Sequence, residues 1–206
     1  MEAMWTRFLP AIQEVQKSIN DGLIGDITKI ESYINLKLES SPEGRIYSKA
    51  LGGGALLDVG VYPINMANLF LGVPDSFDTE VKFTKTGVDA EEKITFFYPN
   101  AIASLYASVI TNDKKDTYIY GTKGYIHIPG FWSTETAIVF NTHHKIIKEI
   151  EHRHLVNGFE YEILEAVKCI KKNLVESSIM SHKSTLEIMR QMDEIRKSWD
   201  LVYPQE

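Results

Sequence analysis

The chain has 206 residues, 44% of them apolar and 11% aromatic, enough to enclose a substantial core in one large domain. Its formal net charge is −6 and no lysine- or arginine-rich block stands out, which excludes the basic footprint of a nucleic-acid-binding protein. The longest apolar stretches, Ala55–Ile64 and Ala101–Ile110, are far short of a membrane span, the N-terminus has no secretory pattern, and the single cysteine, Cys169, cannot form an internal disulfide. The expectation is a globule in a reducing cytoplasm, without nucleic-acid or membrane partners.

The opening Met1–Phe8 reads as extended, and Pro10 then suits the first turn of a helix running to about Leu23, with Ile12, Val15, Ile19 and Leu23 at helical spacing. From Ile27 to Leu38 the apolar period drops to two, as in a half-exposed strand. A polar loop, Glu39 to about Leu51, leads into Gly52-Gly53-Gly54 and an apolar helix over Ala55–Leu71, stopped by Gly72 and Pro74. Strand-like pieces follow at Glu80–Thr86, Lys93–Tyr98, Ile102–Ile110, Thr117–Gly121, Tyr125–Ile128, Thr136–Phe140 and Lys145–Glu151, separated by turn signals such as Pro99-Asn100 and Thr122-Lys123-Gly124. Serial strands with short turns predict an antiparallel sheet. Two amphipathic helices close the chain, Asn157–Lys172 and Ser184–Trp199, the second opened by a Ser184…Glu187 capping box. The fold class is therefore α+β, a large and mostly antiparallel sheet with helices on one face, and the whole of 1–206 is read as a single domain.

One segment concentrates unusual residues. Asp58 and Tyr62 are four apart on the apolar helix behind the glycines, so they share a face and can act on one ligand. A carboxylate and a phenol are costly to bury there without partners. The alternative is that Asp58 bonds a neighbouring loop while Tyr62 is ordinary core. A phosphate cradle at Gly52-Gly53-Gly54 is disfavoured, because no strand leads into it and the spacing of a dinucleotide fingerprint is absent. Arg45, in the preceding loop, either meets an anionic or hydroxylated substrate or is a solvated loop charge. His152 and His154 lie on one strand face and His143-His144 in a turn, but nothing completes a ligand set, so no metal is expected.

Four stretches together carry a resemblance: Glu2-Ala3-Met4-Trp5-Thr6-Arg7-Phe8-Leu9-Pro10, Ile24-Gly25-Asp26-Ile27, Gly52 through Pro63, and Tyr120-Gly121-Thr122-Lys123-Gly124. In that order the chain resembles the C-terminal domain of the Gfo/Idh/MocA oxidoreductases, in particular their dimeric dihydrodiol dehydrogenase branch. The resemblance implies a sheet domain like the C-terminal domain of glyceraldehyde-3-phosphate dehydrogenase. It also implies that residues 1–10 lead in from a nucleotide-binding domain absent from this chain. It assigns Tyr62 as acid/base with Asp58 as its partner, and places Trp5 near a sugar, polyol or dihydrodiol substrate; Arg7, in the same entry segment, is a further substrate-binding candidate, inter-domain packing being the other reading of both. NAD or NADP would serve the full-length enzyme, with none bound to this chain alone.

A tyrosine in water titrates near pH ~10, so proton transfer needs a nearby cation, which the family's lysine would supply from the missing half. On this reading the chain alone is inactive. The strand Ile102–Ile110 has no strongly polar face, and the resemblance implies a homodimer through the sheet. A different class of function, a catalytically silent binding or scaffold protein built on the same sheet dimer, stands as the alternative.

Overall fold

The computed structural model describes residues 1–204 and 206. Among the described residues the strands are β1 (Ile27–Asn35), β2 (Ser76–Phe83), β3 (Asp89–Phe97), β4 (Ile102–Ser108), β5 (Thr117–Gly121), β6 (Gly124–Ile128), β7 (Thr136–Asn141) and β8 (Ile146–Glu151). The α-helices among them are α1 (Pro10–Asn20), α2 (Val61–Leu71), α3 (Glu160–Lys171) and α4 (His182–Ser198). The strands follow one hydrogen-bonded order, β2-β3-β4-β1-β5-β6-β7-β8, and the hairpin-linked neighbours β2/β3, β3/β4, β5/β6, β6/β7 and β7/β8 are antiparallel. This is the α+β architecture expected from serial strands with short turns. The chain divides into two compact units, Met1–Lys29 with Asp116–Glu187, and Ile30–Lys115 with Ile188–Glu206.

In the second unit, the alternation of β3 and β4 sends Ile94, Phe96, Ala103, Leu105 and Ala107 inward, with Ile94 opposite Leu105 and Phe96 opposite Ala103. Leu56, Ile64, Met66 and Ala67 of the apolar helical segment are buried with them, as are Ile188, Met192 and Ile195 of α4. Removing a ring such as Phe96 from this core would cost about 3–5 kcal/mol. Lys49–Leu71 has the length and apolarity of a membrane span, yet it is broken by three glycines and over half of its most apolar window is buried within the protein.

In the first unit, Ile119, Ile126, Ile128, Ala137 and Val139 form the buried side of β5–β7, and Ala11, Ile12 and Val15 of α1 are fully buried. The other side of these strands is aromatic: Tyr118 stacks on His127 at 4.5 Å, and Tyr125 stacks on Phe140 at 4.7 Å. All four are half-buried.

Several local expectations are corrected. Trp5–Phe8 is not extended but one 3-10 turn, with all four residues buried and Arg7 N–H bonded to Met4 carbonyl at 3.0 Å. Side-chain burial overrides the extended preference there. β2 starts at Ser76 and ends at Phe83, because Thr84 N–H bonds back to the Val88 carbonyl at 2.8 Å across Gly87, whose φ is +82°. α4 starts at His182, and the hydroxyl that accepts an early helix N–H is Ser181, from Ser184 at 3.1 Å, rather than Ser184 itself. The helix predicted over Ala55–Leu71 opens with a π-turn at Leu56–Gly60 before it becomes α2.

Candidate functional site

The segment that concentrates Asp58 and Tyr62 is held at its start by groups remote in sequence. Gly52 and Gly54 take φ of +67° and +126°, backbone that favours glycine, and turn the chain into the π-turn. Asp89, at the head of β3, is fully buried and its Oδ2 accepts the Leu56 N–H at 2.6 Å. A carboxylate at this place satisfies a main-chain donor that the helix leaves unpaired and sits at the positive end of its dipole. Burial raises the Asp89 pKa, while the N–H groups of Leu56, Asp89 and Ala55 oppose the rise. Tyr203 donates its phenolic hydrogen to the Gly53 carbonyl at 2.6 Å.

Asp58 projects from the π-turn as a half-buried carboxylate and pairs with the guanidinium of Arg45, which is largely exposed. The pairing answers which loop group meets Asp58: the Arg45 that the sequence left as either a substrate contact or a solvated charge. Tyr62 follows one turn later on α2, half-buried. The arrangement joins a cation–carboxylate pair to a phenol on one helical segment, a set that can bind a hydroxyl or carbonyl oxygen and move a proton to or from it.

Gly52-Gly53-Gly54 does not fit the phosphates of a dinucleotide. A Cβ at Gly54 would collide with the Asp89 carboxylate, and one at Gly53 would lie 2.6 Å from the carbonyl oxygens of Arg45 and Ile46. The space beside Gly53 and Gly54 is filled by the protein's own acceptors, which repel an anion. The cradle reading is thereby excluded on geometry as well as on spacing.

In the other unit, Trp5 stacks on Phe159 with ring centres 4.3 Å apart and lines an open cavity of about 740 Å³ together with Gly130, Ser133, Glu135, His154 and Asn157. Gly158 permits the close approach, since a Cβ there would stand 2.9 Å from both Trp5 and His154. The His154 N–H is held by Glu135 Oε1 at 2.5 Å, while its ring Nε2 is buried without a hydrogen-bond partner among the described residues. Arg7 lies inward, 6% exposed, with Nη1 donating to the Ile179 carbonyl at 3.4 Å, and burial lowers its pKa to about 10. Among the described residues no cluster of three or more metal-binding side chains occurs.

Sequence reasoning missed Asp89 and Tyr203, which hold the start of the segment. Asp89-Ala90-Glu91-Glu92 reads locally as a solvated acidic run, and only Ala90 hints at burial. His154 was weighed as half of a metal pair with His152 and is instead part of the cavity wall beside Trp5.

The sheet and its helices make an α+β domain. It superposes on an aldose-aldose oxidoreductase from Caulobacter crescentus crystallised with glycerol, at a TM-score of 0.81 and 19% identity, covering 94% of this chain and 59% of that one. It superposes equally on the 3-ketoreductase KijD10 of Actinomadura kijaniata, solved with NADP and TDP-benzene, at 0.82 and 19% identity over 96% of this chain and 61% of that one. At such identities the likeness shows the fold alone. Residues 12–127 match the GFO/IDH/MocA C-terminal domain, and the chain belongs to that family. Trans-1,2-dihydrobenzene-1,2-diol dehydrogenase of Xenopus laevis is 32% identical over 99% of this chain and 64% of its own length. The human enzyme of the same name is 26% identical over 100% and 64%. The chain thus spans about 64% of the length of these curated relatives.

Proposed function

We propose that the chain is the substrate-binding and oligomerisation domain of an NAD(P)-dependent oxidoreductase acting on CH–OH groups of sugars, polyols or dihydrodiols, working in the cytoplasm. The observation that carries this reading is the Arg45–Asp58 ion pair on the glycine-led turn that leads into Tyr62, in a chain of this family. Tyr62 exchanges a proton with the substrate oxygen, and Asp58, held by Arg45, orients the substrate hydroxyls. Trp5 and the cavity beside it offer an aromatic wall suited to the apolar face of a ring. Arg7, buried and tied to the Ile179 carbonyl, packs within the same unit rather than offering its charge to a ligand.

A nicotinamide would supply and receive the reducing equivalents, and polypeptide beyond this chain would hold it. Ile163 and Ile170 of α3, with Leu174 and Val175 beyond it, are each more than half exposed, an apolar stripe in keeping with further polypeptide packing there. The aromatic side of β5–β7 is the surface through which two copies associate.

Titrating the purified chain with NADH and NADPH, followed by nicotinamide fluorescence and light-scattering mass, tests the reading. A dimer that binds neither nucleotide is expected. Micromolar binding would overturn the division of labour, and a monomer would overturn the oligomerisation role.

A further inference from the structure

Two acids of β3 face the interior, and each fills a hollow left by a glycine of the helical segment that carries the candidate site. Asp89 fills the one at Gly54, and three residues on, Glu92, 1% exposed, fills the one at Gly60, where a Cβ would collide with Glu92 Oε1. The two glycines bracket the π-turn Leu56–Gly60, within which Asp58 lies and from which the chain passes to Tyr62.

The two positions differ physically. Gly54, at φ +126°, needs glycine for its backbone, whereas Gly60 has φ −63° and ψ −27°, helical angles that any residue adopts. What demands glycine at 60 is the Glu92 carboxyl. Packing alone does not account for that carboxyl, because neither of its oxygens has a hydrogen-bond partner among the described residues, and a methionine would fill the same space without a desolvated polar head. Burial pushes its pKa well above the ordinary range, with Asp89 and Glu91 adding to the rise. The Ala55 carbonyl oxygen borders the same hollow, 3.5 Å from the Cβ position of Gly60. The winding here is the wider one, Val61 N–H bonding back to Leu56 O, and such single π-turns are rare and concentrate at functional sites.

We propose that Glu92 is a positioning residue of the candidate site: its carboxyl, seated against Gly60, sets the π-winding of Leu56–Gly60 and thereby the direction in which Tyr62 leaves the helix relative to Asp58. The importance of that direction rests on the proposed role of Asp58 and Tyr62, but the geometry does not.

The test follows the ring-carbon resonance of Tyr62 in the full chain labelled with 13Cζ-tyrosine, assigned through Tyr62→Phe. Glu92→Gln keeps shape and a polar head, and is expected to leave the Tyr62 resonance in place. Glu92→Met keeps volume but removes the polar head, and Gly60→Ala evicts the carboxyl with Glu92 intact. Each is expected to shift the Tyr62 resonance while that of Tyr125, on β6, stays put. If Met leaves Tyr62 unmoved, or if Gln shifts it as far as Met does, the carboxyl is packing only and the proposal fails. Should the Met variant not fold, Gly60→Ala decides alone: an unmoved Tyr62 overturns the proposal. Turnover is not the readout, so failure of the oxidoreductase reading would leave this outcome standing, and the reverse.

Discussion

Tyr203 and Gly53, 150 positions apart, are joined by a 2.6 Å hydrogen bond from phenol to carbonyl in the interior. Tyr203 packs with Val88 and Leu201, and the Arg196 guanidinium lies over its ring at 4.9 Å while pairing with Glu206 and Asp193. Burial first, then the charge of Asp89, pushes the Tyr203 pKa up to about 12, so it remains a donor across the physiological range. Tyr203→Phe leaves a buried carbonyl without that partner and is expected to lower stability by about 1–3 kcal/mol in urea unfolding. A loss near zero would mean that the Gly53 carbonyl is satisfied another way.

The Arg45–Asp58 pair separates binding from stability. Arg45 is 62% exposed at its side chain, so solvent screens the pair, and Arg45→Ala is expected to cost less than about 1 kcal/mol of folding stability. In a polypeptide that joins this chain to the nucleotide-binding sequence, the same change is expected to raise KM for a polyol by about tenfold, the equivalent of ~1.4 kcal/mol. Unchanged KM would make the arginine a bystander.

Tyr62→Phe removes only an oxygen from a half-buried ring. In that longer polypeptide kcat is expected to fall by about 10²–10⁴-fold, with the thermal midpoint near that of the parent. A variant with ordinary turnover would assign the proton transfer to another group.

Glu92 links stability to pH with a definite sign. Its folded pKa is raised above 4.5 by burial, so the unfolded chain releases this proton first and the native state loses stability as pH rises above that value. Glu92→Gln is therefore expected to stabilise the chain at neutral pH, and the gain should vanish below about pH 4.5. Midpoints of urea unfolding measured from acid to neutral pH check this, and a gain that grows toward acid would contradict it.

The aromatic side of β5–β7 predicts a change of mass. Tyr125, stacked on Phe140 and edge-on to His144, lies within the surface through which two copies are proposed to meet. Tyr125→Lys places a charge there and is expected to halve the light-scattering mass while leaving the circular dichroism unchanged. A dimer that survives the change uses another surface.

Much of the fold was legible because its signals are local. Thr122-Lys123 between two alternating runs marks a two-residue hairpin, and the structure pairs Gly121 with Gly124 around it. Glycines 52–54 before an apolar run mark a helix start, and Asp58 with Tyr62 stand out as a carboxylate and a phenol where neither is cheap to bury. The ends of elements were less legible. β2 began at Ser76 rather than Glu80, because the Thr84–Val88 turn and pairing with β3 outweighed the apolar pattern. Trp5–Phe8 wound into a 3-10 turn under the pull of burial that no eight-residue window contains.

The sequence by itself determined the strand and helix periods, the antiparallel class and the family. Each of these follows from residues within a few positions of one another, or from motifs that keep their identity wherever the chain folds. Only the tertiary structure decided that Arg45 closes on Asp58, that Tyr203 reaches Gly53, that Asp89 and Glu92 turn inward while Lys93 stays out, and that the helix starts with a π-turn. An acid is buried or solvated according to what approaches it from distant parts of the chain. Local pattern carries no record of those partners, so the positions that hold the candidate site in shape came into view only once the strands had paired.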